Sequence, residues 1–216
     1  MVQIYMCLRL FCLVGVTSAL VACHSDGATH TASADSRTGD WKLVCLGDGY
    51  TAGEGLQASQ RAYPALMAVH LAGRYDTIRV VNAGLAGESL RGAAERLPWL
   101  LQQRLDALLL ALGHTELEQG VGLATWQADW QFLLKELRKI DPGLKVYVTV
   151  LSPLALPAGY ASTLEEIAHE HHATYLTLPL SEWAEDSACW IEKDGVKRSS
   201  ARGQEWLAKR LAQQLK

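Results

Sequence analysis

The chain reads as an α/β fold built on a parallel sheet covered on both faces. Three observations carry that reading. Short, continuously apolar runs recur along the sequence, segments of ten or more residues with helical spacing separate them, and glycine-bearing turns close several of the runs. Strands without alternation are buried on both faces, and strands that alternate with helices pair in parallel.

Leu43 to Leu46 is the first such run, broken by Gly47, Asp48 and Gly49. Gln57 to Gly73 follows as a helix, with Leu66, Val69 and His70 facing inward and Gly73 at its end. Ile78 to Val81 is a second strand, closed by Asn82-Ala83-Gly84, and Leu90 to Gln103 a helix with Leu97, Leu100 and Leu101 at core spacing. Ala107 to Leu112 is a third strand, stopped by Gly113. Leu123, Trp126, Trp130, Leu133, Leu134 and Leu137 mark one face of a long helix, and the tryptophan spacing is that of core packing. After the turn Asp141-Pro142-Gly143 come a fourth strand, Lys145 to Leu151, a helix from Leu164 to His171, and a fifth strand, Ala173 to Leu178. Trp206, Leu207, Leu211 and Leu215 belong to a terminal helix.

With 216 residues, 49% apolar and 20% charged, the chain can bury one sizeable core, and no internal repeat calls for a second domain. A net charge of −3 gives no support to nucleic-acid binding. Residues 1–22 have the make-up of an export signal, with an apolar run from Leu10 to Ala22 too short to span a bilayer. Leu20-Val21-Ala22-Cys23 resembles the bacterial lipobox, which implies cleavage before Cys23 and lipidation there. A plain secretory signal is the other reading. Either way the mature chain leaves the cytoplasm; with the anchor it is a membrane-held lipoprotein facing the periplasm or the cell surface. Residues 23–40, rich in Ser, Thr, Ala, Asp and Gly, form a flexible linker whose His24 and His30 are solvated, and 41–216 is the folded domain. Cys45 and Cys189 then remain, and a disulfide between them is permitted outside the cytoplasm, although two unpaired thiols are favoured.

The stretch from Leu46 to Leu56, LGDGYTAGEGL, places a glycine-rich turn at the carboxyl end of the first strand, where open α/β sheets bind ligands. It is followed by VVNAGLAGES, LLLALGHTE and DGVKRSSARGQ. Taken in this order, the four blocks resemble the SGNH (GDSL) hydrolase family, within it the periplasmic esterase, thioesterase and lysophospholipase subgroup. The resemblance runs from about Trp41 to the C-terminus and implies a three-layer α/β/α sandwich around a five-stranded parallel sheet, of flavodoxin-like type. It also implies acyl-ester hydrolysis. A serine in the first block attacks the carbonyl and a histidine near the C-terminus takes its proton. An aspartate three residues earlier orients that histidine, and the serine N–H, a second-block glycine and a third-block asparagine stabilise the oxyanion.

Matched residue by residue, the serine position is Gly49, the asparagine position Thr115, and the histidine position Lys197, with Arg198 as the other candidate because one extra residue precedes Ala201. Gly87 and Asp194 are kept, and Asp48 stands beside the missing serine. Losing the serine or histidine of such a triad typically costs ~10⁶ in turnover. The expectation is therefore a degenerate site that binds a lipid, an acylated glycan or an envelope protein. The alternative is an active esterase or thioesterase with relocated residues, for which Ser89 and His114 are the candidates, Ser199 and Ser200 lying near the last loop. Nothing in the sequence calls for a cofactor. The run His169-Glu170-His171-His172 reads as a helix end rather than a metal site.

Overall fold

The structure is a computed structural model that describes residues 39–57, 62–193 and 195–215, the Lys193 side chain excepted. The leader, Cys23, residues 24–38 of the linker and Asp194 lie outside the described residues.

Five parallel strands form the main sheet: β1 (Asp40–Gly47), β2 (Thr77–Gly84), β3 (Ala107–Ala111), β4 (Lys145–Thr149) and β5 (Thr174–Tyr175), in the order β2-β1-β3-β4-β5. Side chains alternate across the sheet and feed two separate cores. Val44, Leu46, Leu108, Leu110, Val146 and Val148 pack one face with α3 (Leu90–Leu100), α5 (Leu123–Ile140) and α6 (Tyr160–Glu170). Leu43, Cys45, Leu109 and Tyr147 pack the other with α2 (Tyr63–Leu71), α7 (Leu180–Glu185) and α8 (Ala201–Gln214). Each fully buried leucine contributes roughly 1.5–3 kcal/mol, so both faces must be covered for the strands to be worth their backbone order. Among the described residues no helix is long and apolar enough to cross a membrane.

Two expectations need correction. The second helix begins at Tyr63, behind Ala62 and with Pro64 in its first turn, so its inward residues are Tyr63, Met67 and Leu71, one helical row apart. Val69 is 72% exposed, and His70 bonds Glu205 of α8 rather than the core. The fifth strand pairs with β4 only through Thr174 and Tyr175, because the chain turns at Pro179 into α7 soon afterwards.

A further element precedes α8. The strands β6 (Trp190–Lys193) and β7 (Val196–Ser199) form an antiparallel hairpin that sets Ser199 opposite Trp190. Its turn contains Gly195 at φ 74°, a left-handed conformation that glycine adopts without strain.

Candidate active-site cleft

The reversal of strand order lies between β1 and β3, and the turns leaving their carboxyl ends meet there. After β1, Asp48 caps the one-turn helix α1 (Gly49–Ala52), its Oδ1 accepting the Tyr50 backbone N–H at 3.0 Å. Two glycines let this turn sit directly on the strands. A Cβ on Gly47 would lie 2.0 Å from Thr51 Oγ1 and 2.6 Å from the Ala111 carbonyl oxygen; one on Gly84 would lie 2.2 Å from the Ala52 backbone nitrogen. After β3, Gly113 (φ 95°) opens α4 (His114–Glu118), boxed by the Trp126 and Trp130 indoles. Both tryptophans are fully buried, and Trp126 Nε1 donates to the Gly113 carbonyl at 3.2 Å. The stripe of α5 thus acts as packing that positions the third turn.

These turns and the β6–β7 hairpin enclose a cleft of about 250 Å³. Asp48, Gly49, Gly87, His114, Thr115 and Lys197 line it, as do Tyr50, Glu54, Glu118 and Arg198. Of the candidates named from sequence, Ser89 is not among the lining residues. Its hydroxyl accepts the Gly92 N–H at 3.0 Å and caps α3. Ser200 likewise caps α8, and Ser199 is buried at the cleft wall.

Gly49 carries no side chain, and the space beside it is taken. A Cβ at that position would stand 2.6 Å from Glu54 Oε2. The other Glu54 oxygen accepts from Arg198 Nη2 at 2.6 Å, and the Arg198 stem lies against Gly55. Lys197 turns instead over the Trp190 ring, its Nζ 4.6 Å from the centroid. Of the two residues matched to the histidine position, Arg198 is the one that reaches across to the first turn.

The acid–base groups are shaped by burial. Asp48 is 2% exposed, and its second carboxylate oxygen has no partner among the described residues. Loss of solvation pushes its carboxyl up to about 7, against the Tyr50 hydrogen bond and with the charges of Glu118 and Glu116 adding to the rise. His114 pairs through Nε2 with Glu118 at 3.2 Å, one helical turn away, while Nδ1 is buried without a partner among the described residues. Burial holds the imidazole below its ordinary value, and Glu118 opposes that shift. The Tyr50 ring bridges His114 (5.1 Å between centroids) and Trp183 (5.3 Å), which fixes the imidazole from its other side. Glu116 points away from the cleft, accepting the Leu90 N–H at 2.7 Å and tying the third turn to α3.

Glu54 and Glu118 escaped the sequence reading. Glu118 stands four residues after His114, a spacing that puts the two on one helix face. Glu54 gives no such signal, because its contacts are made across the turn and to the distant hairpin. Cys45 and Cys189 are two free, buried thiols. Of the His-rich run, His169 is in the last turn of α6 and the carbonyls of His171 and His172 accept from Arg138. Among the described residues no group of three His, Cys, Asp or Glu side chains is placed to hold a metal ion.

The model of the GDSL-like lipase/acylhydrolase family matches residues 45–196, a stretch from mid-β1 to the start of β7. The chain belongs to that family. The GDSL-like domain is 24% identical over 182 residues to an arylesterase of Vibrio mimicus, covering 81% of this chain and 88% of that protein. It is 33% identical over 119 residues to the esterase TesA of Pseudomonas aeruginosa, covering 55% of this chain and 56% of the relative. In fold it is similar to the crystal structure of TesA (TM-score 0.66, 23% identity, 79% of this chain and 95% of that one). The SGNH-hydrolase esterase AlinE4 gives a TM-score of 0.62 at 21% identity, with 81% and 94% covered. The α/β fold with its five-stranded parallel sheet matches that of these SGNH-hydrolase structures.

Proposed function

We propose that this protein is an exported lipoprotein, anchored through Cys23, whose GDSL-like domain binds a ligand or partner at the cell envelope and does not hydrolyse esters. The ligand is an acylated molecule, a lipid or an acylated glycan, or the partner an envelope protein. The observation that carries this reading is the carboxylate of Glu54 standing against Gly49, in the place where the resemblance calls for a nucleophilic hydroxyl. Acyl transfer needs a nucleophile in contact with its base. The cleft's imidazole, His114, has one nitrogen on Glu118 and the other buried, and none of the described lining hydroxyls hydrogen-bonds to it.

The esterase names of the relatives favour the alternative, hydrolysis through relocated residues. Against it, the Ser89 hydroxyl is committed to the start of α3. The full-length protein in detergent, assayed on p-nitrophenyl acetate and on short acyl-thioesters, is expected to show no turnover above the uncatalysed rate. Turnover abolished by Ser89→Ala or by His114→Ala would establish the alternative.

A further inference from the structure

Lys42 and Arg79 stand side by side near the amino ends of β1 and β2, paired directly in the parallel register. Like charges opposite one another on adjacent strands repel. A third cation, Arg104, joins them from the turn after α3, and the three line one surface hollow with Gly39 and the acids Asp40 and Asp106. Lys42 Nζ donates to Gln103 Oε1 at 2.6 Å, whereas Arg79 and Arg104 are exposed and have no hydrogen bond or ion pair among the described residues. Of the acids, Asp106 has one oxygen engaged by the Lys42 backbone N–H at 2.8 Å. Trp99, in the last turn of α3, is 63% exposed and lines the adjoining hollow with Lys42 and Gln103. An indole beside cations suits lipid headgroups, since tryptophan settles at headgroup level and Lys and Arg are drawn to anionic lipid.

We infer that this surface, Lys42, Arg79 and Arg104 with Trp99, docks on the anionic headgroups of the bilayer that holds the anchor, so that the cleft opens away from that bilayer. The inference rests on the reading of the protein as a Cys23-anchored lipoprotein and adds an orientation to it. The chain enters the described domain at Gly39, in the hollow itself and sixteen residues after Cys23. That length reaches ~55 Å at most when fully extended. It holds the domain near the bilayer without choosing the face presented, and the cations make that choice. Docking of a tethered domain is intramolecular, so modest attraction suffices. Each Lys or Arg near an anionic surface contributes roughly fivefold in affinity. Asp48, at the cleft, lies six residues beyond Lys42 along the same strand, about 20 Å at ~3.3 Å per residue. A ligand therefore reaches the cleft from the far side, which favours an envelope partner or an acylated glycan over a lipid of the anchoring bilayer.

The membrane-extracted protein, reconstituted into vesicles of phosphatidylcholine alone or mixed with phosphatidylglycerol, tests this. Quenching of tryptophan fluorescence by brominated phosphatidylcholine is taken as the difference between wild type and Trp99→Phe, which isolates the one indole. Trp99 is expected to be quenched in the phosphatidylglycerol vesicles, not in phosphatidylcholine alone, and to be released by high salt. Arg79→Gln with Arg104→Gln should lower the ratio of docked to undocked protein about 20-fold. If that variant does not fold, the salt dependence decides in its place. Quenching of Trp99 that is absent, equal in the two vesicle types, or unchanged by the double substitution would overturn the docking surface. An indole placed at the cleft mouth by Val196→Trp, in the Trp99→Phe background, should stay unquenched, and its quenching would overturn the orientation. Mass spectrometry checks the anchor separately. An unmodified Cys23 would sink the lipoprotein reading, and the same comparison with vesicles added from outside would still decide the surface.

Discussion

Asp48 accepts the Tyr50 backbone N–H on Oδ1 at 3.0 Å and keeps Oδ2 buried, without a partner among the described residues. The carboxyl thus caps α1 with one oxygen and carries the whole cost of burial on the other. That arrangement favours the neutral acid.

A pH dependence of stability follows. The Asp48 carboxyl titrates at an ordinary 3.8 in the unfolded chain and at about 7 when folded. A proton held more tightly by the folded form contributes stability that is full below about pH 4 and is lost as the pH rises through about 7. Burial raises Glu116 as well, with the same sign. Denaturant unfolding between about pH 4 and pH 8 should show wild type losing a few kcal/mol, and Asp48→Asn, which keeps the Tyr50 acceptor but cannot ionise, losing clearly less. Parallel profiles for the two proteins would contradict the burial argument.

Close backbone approach makes Gly84 intolerant of any side chain. Its Cβ would stand 2.2 Å from the Ala52 nitrogen and 2.6 Å from the Thr51 carbonyl carbon, atoms that cannot swing aside. Gly84→Ala should lower stability by about 1–3 kcal/mol or prevent folding. Gly143→Ala is the control, because its Cβ would meet nothing nearer than Asp141 Oδ1 at 3.8 Å. That change should stay within about 0.5 kcal/mol. Thermal unfolding of the two variants separates them.

Rebuilding the machinery is the strongest test of the family match. Gly49→Ser, Thr115→Asn and Lys197→His together should create turnover of p-nitrophenyl acetate that the parent lacks, with Gly49→Ser alone giving far less because triad members act as a unit. A side chain introduced at position 49 meets only the far end of Glu54, a flexible group that can move off, so the substitution should fold. A folded triple variant with no activity, measured beside the wild type, would count against the residue matching, most of all at the hairpin, where Arg198 is the other candidate for the histidine position.

Apolar continuity made the central strands legible, because Leu108, Leu109 and Leu110 are buried on both faces and need no alternation. The edges were harder. β5 is paired on one side through two residues, so its apolar run says more about burial of Leu176 than about strand length. In α2, Val69 suggested an inward face, but phase is fixed by Tyr63, Met67 and Leu71 against α8, and apolar character alone does not set phase. The β6–β7 hairpin is charged and half-exposed, and its one sequence signal was the Asp-Gly pair in the sequence between its two strands. In the cleft, the residues at strand ends were placed by the resemblance of the glycine-bearing blocks to the SGNH pattern. Glu54 was not, since a contact made between positions 54 and 198 leaves no local pattern to read.

The glycines beneath α1 have a consequence for how this protein can change. Gly47 and Gly84 bring main chain onto main chain beneath α1, so the backbone of the first turn is seated by peptide contacts and not by the side chains at positions 49, 115 or 197. Reactive groups can therefore be exchanged there like fittings on a rigid frame, with little penalty to folding. A lineage on such a frame is free to lose a reaction, acquire a receptor, and regain the reaction later.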